Sequence, residues 1–300
     1  NTVLGKEKSA QFCEWFGITE AGNFERKSVP NLIVNSRYAE ENQQIEADCR
    51  LLYDYRLKRT ILHKDDKVLT AWNALMISAL ADAFVILQEP SYLKAAQDAR
   101  QFIWESLVNH QTGRLYRRWR KGEAGITAQL DDYAFYIFAL LKLYQATFEV
   151  PYLEEAVQYS KQMVDLFFDK EEGGFYLYAK DSESLIGRPK ETYDGAVPSG
   201  NSAALAILLW LFNLTGDVMW QQLFKKQTVF YSSYLSDFPA GNCAALCALT
   251  KVLYPSQELI CVTSDDQAPS ELIPFLHHHQ KQLPFSIIKT RANQKALMEV

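Results

Sequence analysis

The feature that most constrains this chain is a helical pattern that repeats. Trp72, Leu75, Met76, Ala79, Leu80, Ala83, Phe84 and Leu87 follow the i, i+3, i+4, i+7 spacing of one helix face. The opposite face carries Ala71, Ala74, Ile77, Ala81 and Val85, with only Asn73, Ser78 and Asp82 as polar interruptions, so this helix is expected to be buried nearly all round. The next helix places Tyr92, Leu93, Ala96, Phe102, Ile103 and Leu107 against Lys94, Gln97, Asp98, Arg100 and Gln101, the pattern of a half-wet outer helix. The pair then recurs. Glu149-Val150-Pro151-Tyr152-Leu153 echoes Glu89-Pro90-Ser91-Tyr92-Leu93 at an offset of 60, and Pro239-Ala240-Gly241-Asn242 echoes Pro198-Ser199-Gly200-Asn201 at an offset of 41. Inner helices are expected over 71–87, 133–141 and 201–212, with a fourth from 243 onward, and outer helices over 92–107, 153–167 and 218–230.

A helix that is apolar on every side needs a second shell between it and water, so alternating apolar and amphipathic helices predict two concentric layers. The expected fold is therefore all-α, an α/α toroid, incomplete at its N-terminus, where an outer-type helix near 48–57 is the remaining helical signal. Strand-like alternation next to glycine turns at 113–119 and 173–178 predicts short β-hairpins. After Pro255 the pattern changes to two strand-like runs, 258–263 and 285–290, around a triple histidine. The expected division is a toroid portion over 1–255 and a small α/β appendage over 256–300.

Lys and Arg number 31 against 36 Asp and Glu, a net charge of −5, which makes a poor electrostatic partner for phosphate backbones; no nucleic-acid partner is expected. The longest wholly apolar run, 203–212, is half the ~20 residues a membrane-spanning helix needs, so no membrane partner is expected either. Five scattered cysteines and no secretory h-region at the N-terminus point to a reducing compartment, read as the cytoplasm. No dinucleotide glycine fingerprint or P-loop is present, and neighbouring side chains of His277, His278 and His279 do not share a helix face; no cofactor and no metal are expected.

Parallel inner helices would gather their N-termini at one end, aiming unpaired N–H groups and positive dipole ends into a shared funnel. The residues at or just before those starts are Asp66, Trp72, Asn73, Asp131, Asp132, Tyr133, Asp194, Ser199, Asn201 and Asn242, with His63 nearby as a candidate acid–base group. Aromatic faces cover the apolar side of a sugar ring while Asp and Asn bond its hydroxyls, so a sugar or glycan is the expected partner. The competing reading is plain helix capping, for which Asp, Asn and Ser are the preferred residues. It is the stronger one for Ser199, Asn201 and Asn242, and solvated surface polarity is the stronger one for His63. Asp131 and Asp132 stand side by side where one cap needs one carboxylate. Asp194 lies too far ahead of its helix to be a simple cap.

Asp65-Asp66-Lys67-Val68-Leu69-Thr70-Ala71-Trp72-Asn73-Ala74-Leu75-Met76, Leu130-Asp131-Asp132-Tyr133-Ala134, Arg188-Pro189-Lys190-Glu191 and Asp194-Gly195-Ala196-Val197-Pro198-Ser199-Gly200-Asn201-Ser202 resemble the YyaL/spermatogenesis-associated protein 20 family, in the family's order. The resemblance implies a thioredoxin-like domain followed by a six-hairpin, glycosidase-like toroid related to N-acylglucosamine 2-epimerase. This chain would correspond to the toroid portion, with the thioredoxin-like domain upstream in the same full-length chain. Ala74 departs from the family's usual Gly after Trp-Asn.

Two functions are open at this point. One is a glycoside hydrolase or sugar epimerase, with Asp132 and Asp194 as the leading carboxylates, Asp66 as a third, and Trp72, Asn73, Asp131, Tyr133, Ser199, Asn201 and His63 contacting substrate. The other is a non-catalytic glycan- or protein-binding platform for the upstream domain.

Overall fold

A computed structural model describes residues 2–59, 63–183, 187–254 and 257–300. Two units separate, Asn1–Asp65 and Asp66–Val300. The division at 255/256 expected from the pattern falls on residues outside those described.

In the first unit α1 (Lys6–Trp15) packs on α2 (Gln43–Arg59), the outer-type helix of the sequence pattern. Trp15 and Ile45 are buried, Lys8 reaches the buried Asp48 at 3.9 Å, and Asn35 Nδ2 donates to the Trp15 carbonyl at 3.1 Å. His63 belongs to this unit and is exposed.

The second unit carries the repeat. Strand β1 (Val68–Leu69) leads into α3 (Thr70–Leu87), followed by α4 (Pro90–Leu107), β2 (Val108–Asn109), β3 (Arg114–Arg120) and β4 (Glu123–Thr127). Next come α5 (Leu130–Thr147), α6 (Val150–Phe167), α7 (Gly200–Thr215) and α8 (Val218–Asp237). A 3-10 turn, Pro239–Gly241, precedes α9 (Cys243–Leu253). Helices α3, α5, α7 and α9 pack side by side in that order, and each of the first three is backed by the helix that follows it in sequence, α4, α6 and α8. This is the inner and outer layering of an α/α toroid. It follows from side-chain chemistry: α5 is buried on nearly every side, Leu130, Tyr133 to Ile137, Ala139 to Leu141, Leu143 and Tyr144 included, whereas α6 buries Tyr152, Leu153, Ala156, Met163 and Phe167 and leaves Glu154 and Lys161 wet. By length and composition α3 would also pass for a membrane-crossing helix. Its packing on α4 and α5, through buried Ala74, Ile77, Ala81 and Val85, makes it the first inner helix here, but the all-round burial expected of it does not form: Trp72, Met76, Ile86 and Leu87 on its other side are exposed.

The expected hairpin at 113–119 forms, with β3 pairing antiparallel with β4 (Arg118 opposite Gly125) and also with β1 and β2. The one expected at 173–178 does not. There Phe175 makes a single bridge to Phe168, because both its backbone N–H and its carbonyl are taken by the side chain of Asn201, at 2.7 and 2.8 Å. A side chain has replaced the ladder partner.

In the tail, β5 (Glu258–Val262) pairs parallel with β6 (Phe285–Lys289) across α10 (Leu272–His278), and α11 (Gln294–Glu299) ends the chain. His277 is buried against α3 and α5: its ring bonds the Ala146 carbonyl at 3.1 Å and Gln88 at 3.1 Å, and burial pushes its pKa down. Gln88 and Phe148 close α3 and α5 in the left-handed conformation, at φ of 54° and 56°, and their turn gives the tail its seat.

Candidate functional site

The N-terminal ends of the inner helices meet, and aspartates join them. Asp132, at the third position of α5, accepts the Gln129 N–H of its own helix start at 2.9 Å and the Ala71 N–H of α3 at 3.2 Å. Asp131 accepts the backbone N–H of Gly200, the first residue of α7. Asp194 accepts Ser199 N–H, at the cap of α7, and Ala244 N–H, in the first turn of α9, both at 2.8 Å. Three carboxylates therefore satisfy orphan donors on four helices, each reaching across to a neighbour's first turn. The partial positive charge at a helix start makes an anion the natural group for this place.

The repeat explains why α9 needs help. Ser199 caps α7 by accepting Ser202 N–H at 3.1 Å, but the position 41 residues on is Ala240, which has no oxygen to offer. Asn242 makes no cap either; its Nδ2 donates to Phe238 carbonyl at 2.9 Å, and its buried Oδ1 has no partner among the described residues. Asp194, held by its own N–H to Gly241 carbonyl at 2.7 Å, supplies the missing acceptor. An Asp five residues ahead of the α7 cap Ser199 thus holds the starts of two helices, which simple spacing had argued against.

Burial separates these acids. Asp132 is 3% exposed, and desolvation raises its pKa to about 6 against the pull of two backbone N–H groups and Arg117. Asp131 is half-buried; desolvation raises its pKa, the Gly200 N–H lowers it, and the nearby charge of Glu191 raises it again. Glu191 is exposed, and its loop is anchored from below: Asn201 Nδ2 donates to the Glu191 carbonyl at 2.8 Å. Gly200 admits this crowding because it has no side chain. A Cβ there would lie 2.7 Å from Leu130 Cγ and closer still to the Asp131 carboxylate.

The other sequence candidates scatter. Asp66 is exposed and paired with Arg120, whose hydrogen bond holds its carboxyl below the usual range. Asn73 donates to the Leu69 carbonyl at 2.8 Å, a local helix-start bond. Tyr133 is fully buried, its hydroxyl between Leu115 N–H and Gln162. Asn201 is fully buried in the bonds described above and accepts from Gln227 at 3.0 Å. Ser199 shares its hydroxyl with Ser202 and Tyr231. Two aromatic rings remain open at this end: Trp72, next to the Ala71 that Asp132 holds, is 66% exposed, and Tyr193, next to Asp194, is 65% exposed and stacked on Phe238. Glu191, quoted above only within the family motif, was not among the site candidates, although it lies three residues before Asp194 in the same loop.

Between the inner helices runs a cavity of about 310 Å³ lined by Leu75, Phe135, Phe138, Ala206, Trp210 and Cys247 among others. It is apolar. None of Asp66, Asp132 and Asp194 lines it. Among the described residues no group of three His, Cys, Asp or Glu side chains could hold a metal ion.

No protein-family model matches the chain. It is 31% identical over 237 residues to spermatogenesis-associated protein 20 of Rattus norvegicus, covering 68% of this chain and 30% of that protein. It is 29% identical over 228 residues to an uncharacterized protein of Caenorhabditis elegans, covering 67% of this chain and 31% of that one. The chain thus spans about 30% of the length of the curated relatives it matches. Among solved structures, a glycoside hydrolase family 76 α-mannanase from Bacteroides thetaiotaomicron superposes with a TM-score of 0.53 at 15% identity, covering 74% of this chain and 59% of that one. That likeness is one of fold: an α/α toroid.

Proposed function

We propose that this chain, a member of the spermatogenesis-associated protein 20 family by 31% identity over 68% of its length, is a carbohydrate-active toroid which takes a sugar or glycan at the N-terminal ends of α3, α5 and α7. In this reading Asp131 is the general acid and Glu191 its partner carboxylate, while Asp132 and Asp194 hold the helix starts in place. The observation that carries it is the half-buried Asp131 beside the exposed Glu191. Glycoside hydrolysis needs a carboxyl that keeps its proton, as burial favours for Asp131, beside a second carboxylate. Exposed Trp72 and Tyr193 at the same end supply faces for a sugar ring. Hydrolysis is favoured over epimerisation because the described residues at these helix starts include no histidine to act as a base on either face of a C–H bond.

Asp131→Asn and Glu191→Gln, tested on a panel of oligosaccharides, are expected to lose turnover with the fold unchanged. Full turnover in both variants of a sugar that the parent hydrolyses would overturn the assignment. A non-catalytic platform is the second reading, favoured by the absence of carboxylates from the lining of the axial cavity. Saturable glycan binding without turnover by the parent would select it. A thioredoxin-like domain elsewhere in the full-length protein belongs to the proposal through the resemblance. A cytoplasmic setting belongs to it through five cysteines that are all free.

A further inference from the structure

At the far end of the inner helices from the aspartates lies a second cavity, of about 410 Å³, between α5, α7, α9 and the tail. Its lining includes Lys142 from α5, Lys251 from α9 and Lys281 from the tail, with Trp210, Tyr254 and Gln280, and it contains no Asp or Glu. In a chain of net charge −5 such a concentration of one sign is not background. Lys142 has a carboxylate, Asp82, at 2.9 Å. Among the described residues Lys251 and Lys281 form no ion pair.

The two helix lysines share one indole: Lys142 Nζ lies 5.3 Å and Lys251 Nζ 5.0 Å from the centroid of the Trp210 ring. Cation–π attraction holds each ammonium there, but the two repel one another. Burial, and then the charge of Lys142, lower the proton affinity of Lys251, against the pull of Asp82. A lysine in the last turn of a helix complements the negative end of its dipole, which accounts for Lys251 alone. It does not account for Lys281, which comes from the tail beyond α10. Nor does it account for lysines from three separate elements lining one open cleft, two of them exposed, with Asp82 the single carboxylate paired among them.

We propose that this cavity is a binding site for a phosphomonoester, with Lys251 and Lys281 contacting the phosphate, Lys142 adding its charge, and Trp210 and Tyr254 walling the body of the ligand. The cavity is lined by lysines and no arginine, and lysines are compact point charges with three donors each, a set that can converge on the several oxygens of a tetrahedral dianion. The volume falls in the range of small-ligand pockets. The site is independent of the sugar mouth proposed above and is testable without it.

Calorimetric titration of the intact chain with inorganic phosphate, glucose 6-phosphate and glucose tests the assignment. Glucose 6-phosphate is expected to bind more tightly than phosphate. Lys251→Gln and Lys281→Gln are each expected to weaken both by about tenfold or more, the loss of one charge-assisted contact. Lys225→Gln, on exposed α8 surface, is expected to leave binding unchanged. Equal affinities for the parent and a Lys251→Gln/Lys281→Gln double variant would overturn the proposal, as would the absence of any saturable phosphate binding. A readout on the unmutated chain guards against variants that misfold: glucose 6-phosphate should slow acetylation of Lys251 and Lys281 but not of Lys225, as read by peptide mass spectrometry. Equal labelling with and without ligand would overturn it. Glucose binding at the aspartate end should be the same in parent and double variant, so failure of either site is seen separately.

Discussion

Asp194 and Ala244 are fifty residues apart and joined at 2.8 Å, carboxylate to backbone N–H, while the other oxygen of the same carboxylate holds Ser199 N–H at 2.8 Å. One loop side chain thereby ties the starts of two neighbouring inner helices. Asp132 does the same between α5 and α3. The acids at this end are first of all structural, and whatever chemistry occurs there takes place on a frame they fix.

Replacing Asp194 by Asn leaves one acceptor where two N–H donors converge and turns an amino group toward the other. A hydrogen bond to a charged group contributes about 1.5 to 3 kcal/mol, so Asp194→Asn should cost about 2 kcal/mol and Asp194→Ala about 3. Urea unfolding followed by far-UV circular dichroism measures both. A loss confined to turnover, with unchanged stability, would instead return Asp194 to the catalytic role first expected for it.

Asp132 makes stability depend on pH in an unusual direction. Its folded pKa of about 6 lies above its ordinary value of 3.8, so between those values the folded state binds more protons than the unfolded one. Its contribution is therefore most favourable below pH 4 and is lost as pH rises through 6. The stability difference between parent and Asp132→Asn should grow as pH falls from 7 to 4, by up to about 3 kcal/mol. Denaturation midpoints at four pH values suffice, and a difference that shrinks on acidification would contradict the assignment.

Gly200→Ala forces a Cβ to within 2.7 Å of Leu130 Cγ and onto the Asp131 carboxylate. Overpacking of this kind costs about 1 to 3 kcal/mol. The melting temperature should fall, and Gly216→Ala, at the open end of α7 but at a φ of 71°, makes the comparison: there the strain is in the backbone and no neighbour is met.

In the outer layer Glu155 is buried between Arg100 of α4 and Tyr136 of α5, whose hydroxyl donates to it at 2.7 Å. Removing one partner strands the other, so Glu155→Ala is expected to destabilise by about 3 to 5 kcal/mol, whereas an Arg100→Met/Glu155→Leu double variant should recover most of that loss. Chemical denaturation of the three proteins checks this.

The helices of the repeat, their inner and outer order and the two tail strands were legible in the sequence because side-chain periodicity is a property of each segment alone; that the tail strands pair in parallel was not. The hairpin at 173–178 was not, since its ladder partner is replaced by Asn201, a side chain whose own spacing reads as a helix cap. The candidate site was legible in kind: Asp131, Asp132 and Asp194 do gather at the helix starts. What each acid does there was not.

Amino-acid order by itself determined that buried and half-wet helices alternate, and that alternation admits little besides a two-layered toroid. Only the tertiary structure decided that Asp194 serves α9, where Ala240 stands in place of the capping Ser199, and that Glu191 lies close enough to shift Asp131. It also decided that three lysines from separate elements face one cavity. The reason is physical. Hydrophobic burial is read along one helix, whereas a hydrogen bond or a charge pair depends on distances of a few ångströms between segments that the fold alone brings together.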